Sequence, residues 1–237
     1  MNLIKYEFKK AIKANYILAS FLAMLLSPLF SLLIMSLDSR GFQLGDFNQI
    51  NLILLGLIGS KTLFPLLGML LIKTEYDQDG LIGIFVTPIN RVKLLLSKVL
   101  TAIIWSTLLI VFSSVLVVIV ELILFKDVDI FYLVQGYAMN YLMIIAFVIP
   151  YIIIGMLLSL VTKHVVIPVL FFIIMIISGY LMQLFSPTPY LPSAIPEYIS
   201  EIPHENPMVL ISFILLYAVG LLAFVILRYV FKYKDYL

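Results

Sequence analysis

The sequence predicts an all-α protein that crosses a membrane several times, and three observations support this. Hydrophobic residues make up 63% of the 237 positions and charged residues only 12%, which leaves too little polar surface to cover a soluble protein of this size. Apolar runs of about 20 residues, long enough to cross a hydrocarbon layer as a helix, recur along the chain. Lysine and arginine are concentrated in alternate connecting segments, as in membrane proteins of fixed orientation.

The apolar runs predict six transmembrane helices within a single domain, residues 1–237. The predicted spans are 16–37, 51–72, 100–124, 137–161, 165–185 and 208–231. The first run follows a basic segment, but it is long and no clear cleavage site follows it, so we interpret it as a retained span rather than a signal peptide. No cytoplasmic connection exceeds about 27 residues, which is too short for an independent soluble core.

Six spans place both termini on one side of the membrane, and the basic residues decide which side that is. The terminus side has 12 of the 15 lysines and arginines: Lys5, Lys9, Lys10, Lys13, Lys73, Arg91, Lys93, Lys98, Lys163, Arg228, Lys232 and Lys234. The opposite side has only Arg40 and Lys126, and Lys61 falls inside a span. The excess of positive charge predicts that both termini are cytoplasmic.

The first 15 residues form an amphipathic pattern. The apolar side chains on one face of a helix would be Ile4, Phe8, Ala11 and Ile12, and Lys5, Lys9 and Lys13 recur every four residues on another face. This pattern predicts a helix in the inner headgroup layer, with its lysines toward anionic lipid. The alternative is a basic juxtamembrane stretch that only sets the topology.

The connection between the second and third spans, KTEYDQDGLIGIFVTPINRVKLLLSK, combines charged and apolar residues. Acidic residues Glu75, Asp77 and Asp79 are followed by a short apolar set that includes Leu81, Ile82 and Phe85. Apolar side chains displayed on a cytosolic loop usually mark a surface for a partner or for the membrane.

This connection resembles the corresponding loop in permease subunits of type-2 ATP-binding cassette exporters. The matching positions are Glu75, Gly80, Phe85, Thr87, Pro88, Arg91 and Lys98. The six-span layout, the amphipathic start and the segment before the last span are also similar. The resemblance therefore covers essentially the whole chain and implies a multi-pass protein of the cell membrane, expected to be a bacterial cytoplasmic membrane.

The resemblance implies that residues 74–90 contain a coupling helix that docks on a separate ATPase. The implied docking residues are Glu75, Asp77, Gly80, Leu81, Ile82, Phe85, Thr87, Pro88 and Arg91. The N-terminal helix would be a connecting helix beside that contact, with Ile4, Lys5, Phe8, Lys9, Ile12 and Lys13. Buried apolar anchors flanked by charges suit such a docking surface. The alternative is a loop that folds back and buries Leu81–Val86 in lipid.

The segment 186–207 has six of the 11 prolines, which predicts short broken helices around residues 192–202. By the resemblance, this segment would form an outer gate with Pro192, Pro196, Glu197 and Glu201. Its acidic residues would attract a cationic substrate, or they form a solvated face that only follows the charge bias. His204 has no spaced partner ligands, so no metal site is predicted.

Two charged residues, Lys61 and Glu121, lie within predicted spans. Gly59-Ser60-Lys61-Thr62 resembles a fragment of a phosphate-binding loop, but the order of residues is wrong for that motif. A mid-membrane lysine costs several kcal/mol unless it faces a cavity or a partner. Lys61 therefore lines a substrate route or dimer seam, pairs with an acid or carbonyl groups, or snorkels from a lipid-facing position. The predicted path or seam consists of Gly56, Ser60, Lys61 and Glu121.

The resemblance to these exporters implies a non-catalytic transport subunit that works as a dimer, with a second copy or a sister permease, and with two ATPase subunits. The chain lacks a phosphate-binding loop, so ATP and Mg²⁺ would be used by the partner, and this chain would bind no cofactor and no nucleic acid. Expected substrates are amphipathic or antimicrobial peptides, toxins or hydrophobic drugs.

Two alternatives from other classes are a gradient-driven secondary transporter and an intramembrane enzyme. The first usually has acidic residues near the midplane, where only Glu121 comes close. The second needs paired polar groups at one depth, and His164 and His204 fall on opposite sides.

Overall fold

A computed structural model describes residues 3–13, 15–37, 43–77, 90–125, 129–185 and 207–233. Regular structure within these ranges is helical throughout, with no strand. The helices are α1 (Leu3–Lys13), α2 (Tyr16–Leu37), α3 (Asp46–Leu54), a π-helical segment (Leu55–Leu63), α4 (Phe64–Asp77), α5 (Arg91–Leu124), α6 (Ile130–Thr162), α7 (Val166–Phe185) and α8 (Pro207–Tyr233). The π segment joins α3 and α4 into one continuous helix.

In the described ranges, five stretches of helix are long and apolar enough to cross a membrane. They are Tyr16–Leu37, Asp46–Lys73, Arg91–Leu124, Ile130–Thr162 and Val209–Lys232. The predicted all-helical, polytopic class is therefore confirmed. The first span has the predicted bounds. The second, third and fourth helices begin earlier than the predicted spans. The second and third have polar residues in their first turns, which hydropathy leaves out of a span, whereas the fourth begins with the apolar and aromatic residues Ile130–Leu133.

The two ends of the bundle are defined by contacts between helices. At one end, here called the terminal end, Lys98 near the start of α5 contacts Glu7 of α1, and Arg91 contacts the Lys232 carbonyl of α8. The opposite end, the distal end, contains the end of α5 and the start of α6, where Tyr137 contacts Glu121. The N-terminal helix and the end of α8 therefore lie at the same end of the bundle.

The helix α6 runs from the distal to the terminal end, and α8 runs in the same direction beside it. Tyr217 of α8 donates to the carbonyl of Ala146 at 3.0 Å, and Gly220 packs against Pro150. The chain must therefore return to the distal end between Thr162 and Pro207. The helix α7 lies in this interval with nearly the bounds of the predicted fifth span, but its described apolar run, Val166–Ser178, is shorter than the other five. The sixth crossing stays a prediction.

Small residues allow the central helices to approach closely. A Cβ added at Gly68 of α4 would lie 2.8 Å from Met156 Cγ of α6, and one at Gly155 of α6 would lie 3.2 Å from the Pro65 carbonyl of α4. Such reciprocal contacts are the usual way in which membrane helices pack, because lipid provides no hydrophobic driving force between them. The pair α4 and α6 therefore forms the centre of the bundle.

The outer surface of the bundle is apolar. Along α2, for example, Leu18, Leu22, Leu29 and Leu33 are each more than half exposed, whereas Ser31 on the same helix is buried. A soluble protein has the reverse arrangement. Side chains of this kind, turned outward over the long helices, fit a protein whose solvent is hydrocarbon.

Candidate functional site

A buried ion pair at the terminal end joins three helices. Lys98 Nζ of α5 donates to Glu7 Oε2 of α1 at 2.8 Å and to the Leu71 carbonyl of α4 at 3.1 Å. Both charged side chains are completely buried. Removing one member of such a pair leaves the other as an uncompensated buried charge, which is strongly destabilising. The contact therefore fixes α1 against α4 and α5 at the terminal end of the bundle.

The amphipathic pattern of α1 explains how Glu7 reaches this position. Glu7 and Ala11 are four residues apart and both are buried, so they define the inward face of the helix. Lys5, Lys9 and Lys13 are exposed on the other side. Ile4 and Phe8, expected on the apolar face, are partly buried, whereas Ile12 is 57% exposed. The sequence analysis overlooked Glu7. The signal that could have located it is an acid on the apolar side of an otherwise basic helix.

An aromatic contact strengthens the attachment of α1. The ring of Trp105 on α5 lies edge-on to Phe8 of α1, with 6.1 Å between centroids, and to Phe21 of α2, with 5.2 Å. Its indole N–H donates to Ser20 Oγ of α2 at 2.9 Å. Trp105 is the single tryptophan of the chain, so its fluorescence reports on the position of α1.

The predicted ATPase-docking residues lie partly within the described structure. Arg91 is the first residue of α5, after Asn90, whose side chain caps the helix by accepting from two backbone N–H groups. The Arg91 guanidinium donates to the Lys232 carbonyl at 3.1 Å. Glu75 and Asp77 lie in the last turns of α4. The remaining docking residues lie outside the described residues: Gly80, Leu81, Ile82, Phe85, Thr87 and Pro88.

The outer-gate residues predicted at Pro192, Pro196, Glu197 and Glu201 likewise lie outside the described ranges. Within those ranges, no three histidine, aspartate or glutamate side chains lie close enough together to hold a metal ion.

Three of the predicted path or seam residues lie in the π segment. Gly56, Ser60 and Lys61 are all buried, and the Lys61 side chain has no exposed surface. Ser60 Oγ donates to the Gly56 carbonyl. A π-helical turn widens the helix and is often found at functional positions. Because Lys61 is enclosed, it does not have the lipid-facing position that the snorkelling interpretation requires. Its burial is consistent with contacts inside the protein.

Glu121 closes the N-terminus of α3 at the distal end. Its carboxylate accepts from the backbone N–H of Asn48, the third residue of α3, at 3.1 Å, and from the Tyr137 hydroxyl. The first N–H groups of a helix have no partner within the helix, and the N-cap residue of α3, Gly45, has no side chain to supply one. Glu121 provides this acceptor from another helix, where it also interacts favourably with the helix dipole.

Asn51 extends this arrangement by one helical turn. Its amide donates to Ser113 Oγ at 3.2 Å and to the Tyr141 hydroxyl at 3.1 Å, and its carbonyl oxygen accepts from Ser27 Oγ at 2.7 Å. Asn51 thus connects α3 to α5, α6 and α2. We define the distal polar cluster as Ser27, Asn48, Asn51, Ser113, Glu121, Tyr137 and Tyr141. Of its members, the sequence analysis predicted only Glu121 as a site residue.

Lys61 and Glu121, both predicted to line the path or seam, lie at different depths of the bundle. Asn48, which binds Glu121, lies 13 residues before Lys61 on the same continuous helix. That separation corresponds to roughly 15–20 Å along a helix axis. The two residues therefore belong to different layers of the bundle.

A sequence model of the ABC-2 family of transporter proteins matches residues 3–179. This chain belongs to the ABC-2 transporter family. The matched range runs from α1 into α7 and includes both the ion pair and the distal polar cluster. An ABC-2 permease is the membrane component of an ABC transporter, so the resemblance stated from the sequence is confirmed at this level. Membership also implies association with ABC ATPase subunits. Among curated proteins, none matches the chain.

Proposed function

We propose that this ABC-2 permease is the membrane subunit of an ATP-driven exporter, coupled to its ATPase through the loop at residues 74–90. The Lys98 contact is the observation that supports this proposal. It joins α1, α4 and α5 through Glu7 and the Leu71 carbonyl. The helices α4 and α5 border the loop, and α1 would lie beside it.

The ion pair gives the loop a rigid attachment. A force applied to a flexible loop would be lost in local bending. Helices joined by a buried ion pair move together, because separating them would leave a buried charge without its partner. Closure of two ATPase subunits would therefore reach the spans as a rigid-body motion. In this proposal Phe85 and Ile82 are the apolar anchors, Glu75 and Arg91 orient the contact, and ATP and Mg²⁺ are bound by the partner.

The transport unit would contain two permease copies, or this chain and a sister permease, with two ATPase subunits in a bacterial cytoplasmic membrane. The helix α7 would supply the sixth crossing, which places both termini on one side, and the charge bias would make that side cytoplasmic. It packs against the π segment, so its movement would change access to Lys61. Substrates that dissolve in the membrane, such as amphipathic or antimicrobial peptides, toxins and hydrophobic drugs, suit a permease with so apolar an outer surface.

Co-purification with the cognate ATPase tests the docking part of the proposal. Phe85→Asp should abolish co-purification, because a carboxylate cannot fill an apolar pocket on the ATPase. The matched control is Phe131→Asp, since Phe131 is 71% exposed at the distal end, and this variant should retain the ATPase. Equal recovery of ATPase by both variants would contradict the docking assignment.

Transport measurements test the energy source. Export from vesicles should require ATP and ATPase and should continue after the proton gradient is collapsed. Transport that proceeds without ATPase and stops when the gradient is collapsed would identify a secondary transporter instead.

A further inference from the structure

A groove runs between α5 and α6 at the distal end, on the outside of the bundle, and encloses about 320 Å³. Residues spaced three or four apart line it from one face of each helix. They include Val115, Val118 and Ile119 from α5 and Val134, Tyr137 and Ala138 from α6. Val115, Ile119 and Val134 are each about half exposed, at 50%, 47% and 49%. The groove is therefore continuous with the lipid-facing surface.

The groove is apolar because the hydroxyl groups along it bind partners elsewhere. Tyr137 donates to Glu121, and Tyr141 accepts from Asn51. Ser114 Oγ donates to a carbonyl of its own helix at 2.8 Å. The two tyrosines therefore present the surfaces of their rings to a molecule bound in the groove.

A cleft whose lining is less apolar than that of the groove adjoins it at its outer end. It also encloses about 320 Å³ and is lined by Leu44, Gly45, Tyr132, Gln135 and Tyr137, with Gly136 beside them. Tyr137 borders both cavities. The cleft offers an amide, a phenol and exposed backbone, all uncharged hydrogen-bonding groups. The combined surface is thus apolar along the membrane-spanning helices and gains hydrogen-bonding groups where those helices end.

We propose that the groove and the cleft together bind one phospholipid from the leaflet at the distal end. An acyl chain would lie in the groove against Val118 and Ala138, and the ester and headgroup region would reach Tyr132 and Gln135. A phospholipid has the same order of apolar and polar parts along the membrane normal, and it is already present at high concentration where the groove opens. This proposal does not depend on the proposed export function.

Binding at this position would stabilise the distal polar cluster. The acyl chain would pack against the rings of Tyr137 and Tyr141, which hold Glu121 and Asn51, and would exclude water that competes for their hydrogen bonds. A ligand that binds only the folded state raises its stability in proportion to the logarithm of its concentration above Kd. Added phospholipid should therefore raise the thermal midpoint of the detergent-solubilised protein.

Photolabelling provides the direct test. The full chain is reconstituted into vesicles of phosphatidylethanolamine and phosphatidylglycerol that contain a phospholipid with a photoreactive acyl chain, and adducts are located by peptide mass spectrometry. We expect several-fold more adduct per residue on residues 114–122 and 130–141 than on Leu108 and Val111 of α5. These two control residues are 49% and 47% exposed but lie outside the groove. Equal labelling of the two regions would overturn the proposal.

A groove-filling variant is the second arm of the test. Ala138→Trp should reduce groove labelling several-fold and abolish the rise in thermal midpoint on lipid addition. Ala218→Trp adds the same side chain at another exposed alanine, on α8, and should leave both signals unchanged. If Ala138→Trp does not fold, Ala138→Leu should give a smaller loss of labelling in the same region. Groove labelling that persists in a folded Ala138 variant would overturn the site.

Two other occupants have distinct outcomes, and each would also overturn the proposal. If a second copy covers the groove, Val118→Cys should form a disulfide between copies, a clear readout because the chain has no other cysteine. If the groove is a peptide site, a basic amphipathic peptide should remain bound in the photolabelled region at lipid concentrations that saturate the thermal shift. The expected result is that Val118→Cys forms no disulfide between copies and that groove labelling is displaced by unlabelled phospholipid and not by peptide.

Discussion

The two ends of the bundle accommodate a buried charge in different ways. At the terminal end, Lys98 is neutralised by Glu7, an acid from another helix 91 residues away, and by one carbonyl. At the distal end, Glu121 is held by the backbone N–H of Asn48 and by the Tyr137 hydroxyl. The first arrangement needs a second charge. The second uses the N-terminus of a helix and neutral side chains.

This difference has a mechanical consequence. A charge held by an opposite charge depends on two side chains, so α1 and α5 must remain together for either residue to be satisfied. The Glu121 carboxylate is held by one side chain, Tyr137, and by a main-chain N–H group that no side-chain substitution removes. The terminal ion pair therefore suits a joint that transmits movement, and the distal polar cluster suits a fixed support.

The largest expected effect is a difference in stability between the single and the double substitution at the terminal ion pair. Lys98→Met leaves Glu7 buried without its partner and should destabilise the protein by about 3–5 kcal/mol. Lys98→Met with Glu7→Leu removes both charges and should recover most of that loss. Thermal unfolding in detergent, followed by Trp105 fluorescence, measures both. Lys93→Met, at an exposed lysine on the same helix, is the control, with a change within about 0.5 kcal/mol.

A double variant as unstable as Lys98→Met would show that packing, not charge compensation, dominates this contact. If the double variant is stable but ATPase stimulation by the permease is lost, the ion pair has the transmitting role that the export proposal gives it.

At the distal end, Glu121→Leu should cost about 2–3 kcal/mol. It leaves the buried Asn48 N–H and the partly buried Tyr137 hydroxyl without their acceptor. Glu121→Gln keeps an oxygen acceptor at the same place and should cost only about 1 kcal/mol. The same fluorescence-detected unfolding applies. Equal losses for the leucine and glutamine variants would mean that the negative charge itself, rather than an acceptor at the helix N-terminus, is required.

Asn51→Leu should have a smaller effect, about 1–2 kcal/mol. Three hydrogen bonds are lost, and side-chain hydrogen bonds between membrane helices contribute about 0.6 kcal/mol each on average. Ser27→Ala removes only one of the three bonds and should cost about a third as much. A loss for Ser27→Ala that matches Asn51→Leu would show that the α2 contact alone accounts for the contribution of this residue.

The smallest effect is expected on the outer face of α1. Replacing Lys5, Lys9 and Lys13 together by glutamine should change stability by less than about 0.5 kcal/mol, because all three are exposed. Binding of a peptide containing residues 1–15 to anionic vesicles should weaken by about 1 kcal/mol per lysine. Unchanged vesicle binding would remove the proposed contact of these lysines with anionic lipid.

Hydropathy and charge bias were sufficient to predict the helices because the bilayer imposes a local rule. Every backbone group inside hydrocarbon must be bonded within its own segment, so a long apolar run must be helical wherever it packs. The span predicted at 16–37 has the bounds of α2, and the amphipathic start predicted α1 together with its exposed lysines. The helix α5 begins at Arg91, before the predicted span at 100–124, because a span prediction marks only the apolar part of a helix.

The predicted interfaces were less complete. Glu121 was recognised as a buried acid, but its partners Asn48 and Tyr137 were not, since no periodicity relates positions on separate helices. Glu7 was overlooked because it is a single acid among lysines. The π segment around Lys61 has no sequence signature that distinguishes it from an α-helix.

The sequence alone determined that this protein is a bundle of membrane helices, where most of those helices lie, and which family it resembles. These properties follow from local composition and from motifs within one segment. Tertiary structure alone decided that Glu7 neutralises Lys98 and that Glu121 closes the N-terminus of α3. A buried charge pairs with whichever group the packing of distant helices brings within hydrogen-bonding distance. The sequence of a single segment therefore does not determine the partner.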